Sequence, residues 1–431
     1  MKKIVLSAMA AMTLGTVAVS AAQFYVDQNG QVFTTEGEGR KPLESKESSV
    51  FSKAMKLEFS GTHYFGLTSA DPKTVAPTAT TSTPVSVGND EAKYAGRSTG
   101  FELRRNYVQV KGFFNEKDYW RVTMDATKEL ASSKDYASVF VKYAYLYLDN
   151  VLPATGVEFG IAHRPWIDYE EHNGWFYRSF NKVMIEEKGT ATESGVDLVN
   201  SADLGINFKT KTDFISSEIG FYNGEGYHAD KNAANQENSS ALSAEWRLTG
   251  HLIGSGTKVG KADRLKDTYA HLSTFGLISK NHKDDVVAIG DAKEYDRSFY
   301  GVHAVYNQPE FLIAAQYITA EDKARNYVSG TSSFDTKEYD AFSINAEIRP
   351  FKDWTIIGRY DDYTIEENEP AIAASEIEGT KMIAALAYKY NKHVAFIGSG
   401  KFIEEDYKDA GVSGDTGQSK DVFMFTTEVK W

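Results

Sequence analysis

The stretch Phe423-Met424-Phe425-Thr426-Thr427-Glu428-Val429-Lys430-Trp431 decides how the rest of the chain is read. Apolar or small side chains occupy 423, 425, 427, 429 and 431, whereas polar ones dominate 426, 428 and 430. Alternate residues of a strand point to opposite faces. The segment therefore predicts an extended ribbon with one apolar face and one wet face, ending on an aromatic side chain.

The other end of the sequence supplies the compartment. Lys2 and Lys3 precede an apolar run from Ile4 to Val19, followed by Ser20-Ala21-Ala22 and polar Gln23. This is the pattern of a secretory signal peptide over 1–22, with small residues at a cleavage site near Ala21 or Ala22. The run is too short for a spanning helix, and nothing later reaches the length such a helix needs. The absence of cysteine removes disulfides, thiol catalysis and thiolate metal sites.

Composition narrows the class. The chain holds 25 Tyr, 25 Phe and 34 Gly but 9 Pro, and no linker-like stretch divides it. A hydrophobic content of 42% with mean hydropathy −0.41 is too polar for helical membrane spans. A barrel with a wet lumen fits such an average, because only every second strand residue need be apolar. The net charge of −13 argues against a nucleic-acid partner.

Two-residue periodicity yields sixteen candidate strands. They lie near 54–65, 101–114, 118–127, 138–148, 155–163, 202–210, 213–222, 241–250, 269–279, 298–307, 310–319, 338–348, 353–364, 380–390, 393–403 and 421–431. Trp120, Val122, Met124 and Ala126 oppose Tyr119, Arg121, Thr123 and Asp125. The connections alternate in length. Short turns fall at 115–117, 149–154, 210–212, 308–309, 350–352 and 391–392. Long polar ones fall at 66–100, 128–137, 164–201, 223–240, 280–297, 320–337, 365–379 and 404–420. Only 251–268 is long where a short turn is due.

Outer-membrane barrels have short periplasmic turns and long outer loops. The expected fold is thus an all-β transmembrane antiparallel barrel of about sixteen strands over 53–431, preceded by a periplasmic extension over 23–52. The final strand, through Phe423, Phe425, Val429 and Trp431, reads as the assembly signal of that class, addressed to the barrel assembly machinery. The location expected is the outer membrane of a Gram-negative bacterium, in contact with its lipid and lipopolysaccharide. Tyr143, Tyr145 and Tyr147, with Tyr360, Tyr388 and Tyr390, are candidates for interfacial girdles.

At Leu103-Arg104-Arg105-Asn106-Tyr107-Val108-Gln109-Val110-Lys111-Gly112, followed by Asp118-Tyr119-Trp120-Arg121-Val122, the chain resembles the phosphate-selective porin O/P family. Similar segments are Val157-Glu158-Phe159-Gly160, Asp203-Leu204-Gly205 and Phe221-Tyr222-Asn223-Gly224-Glu225-Gly226. The resemblance implies a sixteen-stranded homotrimeric pore with a loop folded into the channel. It also implies that Arg104, Arg105 and Tyr107 help bind a permeating anion. The chain departs from the family in being acidic overall and in lacking a density of arginines elsewhere.

Parity places Arg105, Lys111, Arg121, Lys142, Lys209, Arg247, Arg359, Lys389 and Lys401 on lumen-facing rows. It also places Asp125, Glu158, Asp203, Glu218, Glu245, Glu347 and Asp361 there. A regular strand would point Arg104 away from Arg105, so Arg104 needs a local bulge or a position above the bilayer; an arginine facing mid-bilayer lipid costs roughly 2–4 kcal/mol. Loop 164–201 is the expected constriction, with Asp168, Glu170, Glu171, Arg178 and Lys182 supplying charge and Trp166, Tyr169, Trp175 and Tyr177 supplying packing. No His-Glu-x-x-His, metal-spaced cluster or hydrolytic triad is recognisable, so neither enzyme, metal nor cofactor is expected. The function expected is passive diffusion of small hydrophilic solutes or ions, with a weak phosphate-like anion preference. The alternatives are a cation-preferring or general pore, and a plugged barrel serving as a structural or adhesive surface protein.

Overall fold

The computed structural model describes residues 25–27, 32–33, 35–42, 56–75, 99–127, 138–187, 193–224, 226–227, 231–232, 235–236, 242–254, 263–280, 285–288, 291–328, 331–368, 375–409 and 416–431. The signal-peptide reading at 1–22 and most of the extension at 23–52 lie outside these residues. The chain separates into a small unit, residues 1–57 with 112–116, and a large one comprising 58–111 and 117–431. In the small unit the strands Tyr25–Val26, Val32–Phe33 and Lys41–Pro42 form an antiparallel sheet, with the Arg40 guanidinium 3.5 Å from the Phe33 ring centre.

The barrel is built from β1 (Lys56–Val75), β2 (Thr99–Phe113), β3 (Tyr119–Thr127), β4 (Ser138–Leu152), β5 (Thr155–His163), β6 (Ala202–Lys211), β7 (Ile215–Tyr222) and β8 (Ser243–Ile253). It continues through β9 (Tyr269–Ser279), β10 (Asp291–Gln308), β11 (Phe311–Val328), β12 (Thr331–Phe351), β13 (Trp354–Asn368), β14 (Ser375–Lys389), β15 (Val394–Asp409) and β16 (Thr416–Lys430). Each strand pairs with its sequence neighbours, a short strand Asp285–Ala288 extends the β9–β10 hairpin, and β16 closes on β1. All sixteen expected strands are present, and β5 and β9 have the expected bounds.

Closure is locked at the last residue. Trp431 N donates to Gly61 O, Gly61 N donates to Trp431 O, and Trp431 Nε1 bonds His63 Nε2 at 2.9 Å. The indole lies so close over Gly61 that an added Cβ would sit 2.5 Å from it. In β16, Phe423 and Phe425 are half-exposed on the outer face while Val422, Met424, Thr426 and Glu428 are buried within. The same alternation sets Ile356 and Tyr360 outside β13 and Ile357, Arg359, Asp361 and Tyr363 inside. The outer surface is therefore a continuous apolar band, the surface required of a barrel that spans hydrocarbon.

Three expectations change. The connections 280–297, 320–337, 365–379 and 404–420 are largely strand, and β11 and β12 stay paired out to Val328 and Thr331. Their backbones keep hydrogen bonding past the apolar band, where both faces are polar and the period-two signal disappears. Tyr143, Tyr145 and Tyr147 line the lumen and form no girdle, whereas Tyr360 and Tyr390 are exposed outside. The third change concerns the lumen wall. On β9 to β16 the inner face carries Leu277, Phe299, Ile318, Ile357, Ile383, Ile397, Val422 and Met424, which form a hydrophobic core with loop 164–201.

Candidate functional site: the barrel lumen

Loop 164–201 lies against the inner wall of β9–β16, and its residues show why. Trp166 stacks on Phe275 with ring centres 3.6 Å apart and planes 3° from parallel. Phe180, Val183, Met184 and Ile185 are fully buried. A short helix α1 (Ile167–Asn173) follows Trp166, burying Ile167, Tyr169 and Glu170 against the wall. Its Asp168, Glu171 and His172 face open space. Gly174 caps the helix and lies tight against His303, where a Cβ would come 2.9 Å from Nε2. Asn345 Nδ2 then donates to Gly174 O at 2.9 Å.

Polar pins supplement this packing. Tyr169 OH bonds His271 Nδ1 at 2.8 Å, Gln316 Nε2 donates to Glu170 Oε1 at 2.7 Å, and Arg359 Nη1 donates to Lys182 O at 2.7 Å. Lys381 donates to Ser194 O at 2.6 Å, pairs with Asp361 at 2.9 Å and also contacts Glu187. Burial pushes the Glu170 carboxyl up to about 8, and its Oε2 has no hydrogen-bond partner. Burial likewise opposes ionisation of Glu186, but the Arg178 guanidinium outweighs it and holds that carboxyl at about 2. Charge burial of this kind is tolerated only with close partners.

Because the loop fills the β9–β16 side, the remaining space is a cavity of about 1700 Å³ along the other half. It opens among the short turns and ends at Asp168, Glu171, Trp175 and Arg178 of the loop. A second cavity of about 350 Å³, lined by Val196, Arg297, Tyr339, Tyr363 and Glu405, lies on the far side of the loop. The larger cavity is lined by fourteen lysines and arginines against seven aspartates and glutamates. In a protein with a net charge of −13, this bore is selectively basic.

One wall of it is built from β2, β3 and β4. Tyr107 and Lys111 come from β2, Tyr119 and Arg121 from β3, and Lys142, Tyr143 and Tyr145 from β4. Lys142 and Tyr143 are adjacent yet both line the cavity, because the β3–β4 register slips between Thr123 and Met124 and leaves Lys142 unpaired in the ladder. Such a bulge re-aims side chains. A matching slip occurs on β2. Glu102 and Arg104 are buried beside outward Phe101, but four residues on it is Tyr107, Gln109 and Lys111 that face in and Val108 that faces out. The amide N–H of Asn106 is taken by Asp125 Oδ1 at 2.8 Å at this point.

The slip turns both adjacent arginines to the inside. Arg104 pairs with Glu102 at 3.0 Å and lies 3.6 Å from Glu193 of the loop, and Arg105 lies 3.8 Å from Asp125. Neither lines the cavity. Tyr107, Lys111, Arg121, Asp168, Glu171 and Arg178 do line it, whereas Glu170 and Lys182 are turned to other partners, Lys182 to Glu193 at 2.7 Å. Arg178 is bound to Glu171 and Glu186.

Arg121 and Lys142 differ from Arg178, Lys209 and Arg247, which are paired with carboxylates. Arg121 Nη1 donates to Tyr145 OH at 3.2 Å and lies 3.1 Å from His163 Nε2, and Lys142 Nζ donates to Tyr107 OH at 3.2 Å. Neither is within ion-pair distance of a carboxylate among the described residues. Lys209, by contrast, is surrounded by Glu158, Glu218 and Asp168.

Sequence reading missed Tyr119, Tyr143, Tyr145 and His163 as lumen groups. Tyr119 shares parity with Arg121 and was legible; the β4 tyrosines depend on a bulge that period-two counting cannot detect. It also missed Arg264, from the one connection that broke the length rule. That residue reaches Glu347 at 2.5 Å and Tyr177 OH at 2.9 Å, with its guanidinium 4.3 Å from the Phe176 ring.

No protein-family model matches the sequence, and no curated protein matches it. Solved structures do share the architecture. The in-vitro folded trimer form of OmpT, an outer membrane protein of Vibrio cholerae, superposes with TM-score 0.50 at 12% identity, over 87% of this chain and 99% of that one. The anion-selective porin from Comamonas acidovorans gives 0.52 at 11% identity, over 87% and 99%. The outer membrane channel DcaP of Acinetobacter baumannii gives 0.53 at 8%, over 87% and 97%. At these identities the likeness is one of fold: the chain is a sixteen-stranded barrel of the outer-membrane type.

Proposed function

We propose that this chain is a passive outer-membrane channel of a Gram-negative cell that conducts small hydrophilic solutes and prefers anions. The observation that carries the preference is the pair Arg121 and Lys142, on one wall of a basic bore, with phenol and imidazole partners and no carboxylate within ion-pair distance among the described residues. An anion entering that space meets the Arg121 guanidinium, held by phenol and imidazole partners, with the Lys142 amine beside it as a further donor, and a cation is repelled by the guanidinium. Selectivity in pores comes from such charges at the narrowest section.

The reading assigns direct contact with the solute to Arg121, Lys142, Lys111 and Tyr107, with Asp168, Glu171 and Arg178 forming the opposite wall. Arg104 and Arg105 act on the field from behind it, because Glu102, Glu193 and Asp125 already sit beside them. A phosphate-like solute would thus be held by the β3–β4 cations and not by the adjacent arginines. A homotrimer is the assembly we infer, supported by the trimer form of the Vibrio cholerae protein of the same fold. The row Phe423, Phe425, Val429 and Trp431 serves as the address for barrel assembly, and the apolar band contacts lipid and lipopolysaccharide.

The test is the reversal potential of the purified protein in planar bilayers under a potassium chloride gradient. A chloride-selective sign supports the reading, and a potassium-selective sign overturns the preference. A plugged surface protein has its own support, since the loop fills half the lumen. Complete absence of conductance would favour it.

A further inference from the structure

The wall made by β2, β3 and β4 carries a second pattern besides charge. Lys111 Nζ lies 4.7 Å from the Tyr119 ring centre, the Arg121 guanidinium 4.7 Å from that of Tyr143, and Lys142 Nζ 5.1 Å from that of Tyr107. These are three cation-and-tyrosine stations. They succeed one another inward from the short turns, because Lys111 and Tyr107 stand four residues apart on β2, about 13 Å along a strand. The tyrosines are grouped as an aromatic surface: Tyr119 lies 5.1 Å from Tyr147 and 6.2 Å from Tyr145. The carboxylate that β3 contributes, Asp125, is fully buried and accepts from Asn106.

We propose that this wall selects anions bearing a planar aromatic ring, aryl carboxylates being the simplest, by offering a cation to the carboxylate and a tyrosine ring to the aryl group at each station. The inference rests on the anion path proposed above and adds a solute class to it. A small inorganic anion uses the cation alone. An aliphatic acid of equal charge uses the cation and buries apolar surface, but it lacks the edge-to-face attraction between aromatic quadrupoles. That attraction is worth about two- to tenfold in binding beyond the area buried. Repetition over three stations lets the solute step along the wall, and the modest affinity of each permits release.

The test measures block of chloride current through the full channel by benzoate and by cyclohexanecarboxylate, which match in charge and carbon count. Benzoate is expected to bind about two- to tenfold more tightly. Equal binding of the two acids overturns the inference. In the variant Tyr107→Leu/Tyr119→Leu/Tyr143→Leu, which removes the ring of every station, the ratio should collapse toward one, and a preserved ratio also overturns it. Where that variant does not fold, Tyr107→Phe/Tyr119→Phe/Tyr143→Phe decides: a persisting ratio supports recognition by the rings, and a lost ratio assigns it to the hydroxyls and overturns the inference. The underlying anion path is read separately, from the reversal potential of the unaltered protein. Chloride selectivity with no aromatic preference therefore sinks this inference alone, whereas potassium selectivity sinks both.

Discussion

Replacing Arg121 by Gln removes one charge from the β2–β4 wall while retaining a side chain able to bond Tyr145. Arg121 is part-buried and lines the bore with no carboxylate within ion-pair distance among the described residues, so its field reaches a passing ion. For an ion held roughly 6 Å away in water-like surroundings, one unit charge contributes about 0.7 kcal/mol. Chloride loses that stabilisation and potassium is spared the same repulsion, so the two barriers separate by about 1.4 kcal/mol, which is about tenfold in permeability ratio. The measurement is the reversal potential across a bilayer at about 0.1 M salt, where charges act over about 10 Å. Lys392→Gln, in the exposed turn between β14 and β15, is the companion variant; screening at the open mouth keeps its effect well below that of Arg121→Gln. If the Arg121→Gln ratio stays within about twofold of the unaltered protein, or if Lys392→Gln moves it more, the assignment of selectivity to the β2–β4 wall is wrong.

Lys381→Met removes one of the two cations paired with the buried Glu187 and Asp361 carboxylates, leaving Arg359, and should destabilise the barrel by about 1–3 kcal/mol, read as a lower unfolding temperature in detergent together with larger, noisier single-channel currents. An unchanged conductance would mean that the loop does not define the bore. Glu170, raised from 4.5 to about 8 by burial, stays protonated in the fold while its unfolded counterpart ionises. Stability should therefore fall as pH rises from about 4.5 to about 8 and level off above, and Glu170→Gln should flatten that slope. Gly61→Val drives a side chain into the Trp431 indole and should block closure, seen as loss of the heat-modifiable folded band on gels; normal closure would remove the indole contact from the seam.

The strands were legible because one face of each touches an apolar surround, so alternation survives even where the other face is mixed. Where both faces are wet, as in Glu321-Asp322-Lys323, the pattern vanished although the ladder continued. The basic residues Lys111 and Arg121 could be placed by parity alone. Arg104 and Tyr143 could not, since each depends on a one-residue slip that reverses the rows beyond it. The apolar inner wall of β9–β16 was hidden for a different reason. Ile357 and Ile383 share parity with Arg359 and Lys389 and so fall on the inward rows, but nothing within a strand shows that inward aliphatics are covered until the loop that packs on them is in place.

That covered wall has a consequence for how the molecule must be made. A bore whose inner lining is half aliphatic cannot be assembled first and filled afterwards, because the empty intermediate would present Phe299, Ile318 and Ile397 to water. The loop must settle onto β9–β16 before or as the seam between β1 and β16 zips shut. It thereby works as a mandrel on which the second half of the sheet is curved, and changes that weaken its grip should surface as defects of biogenesis as well as of permeation.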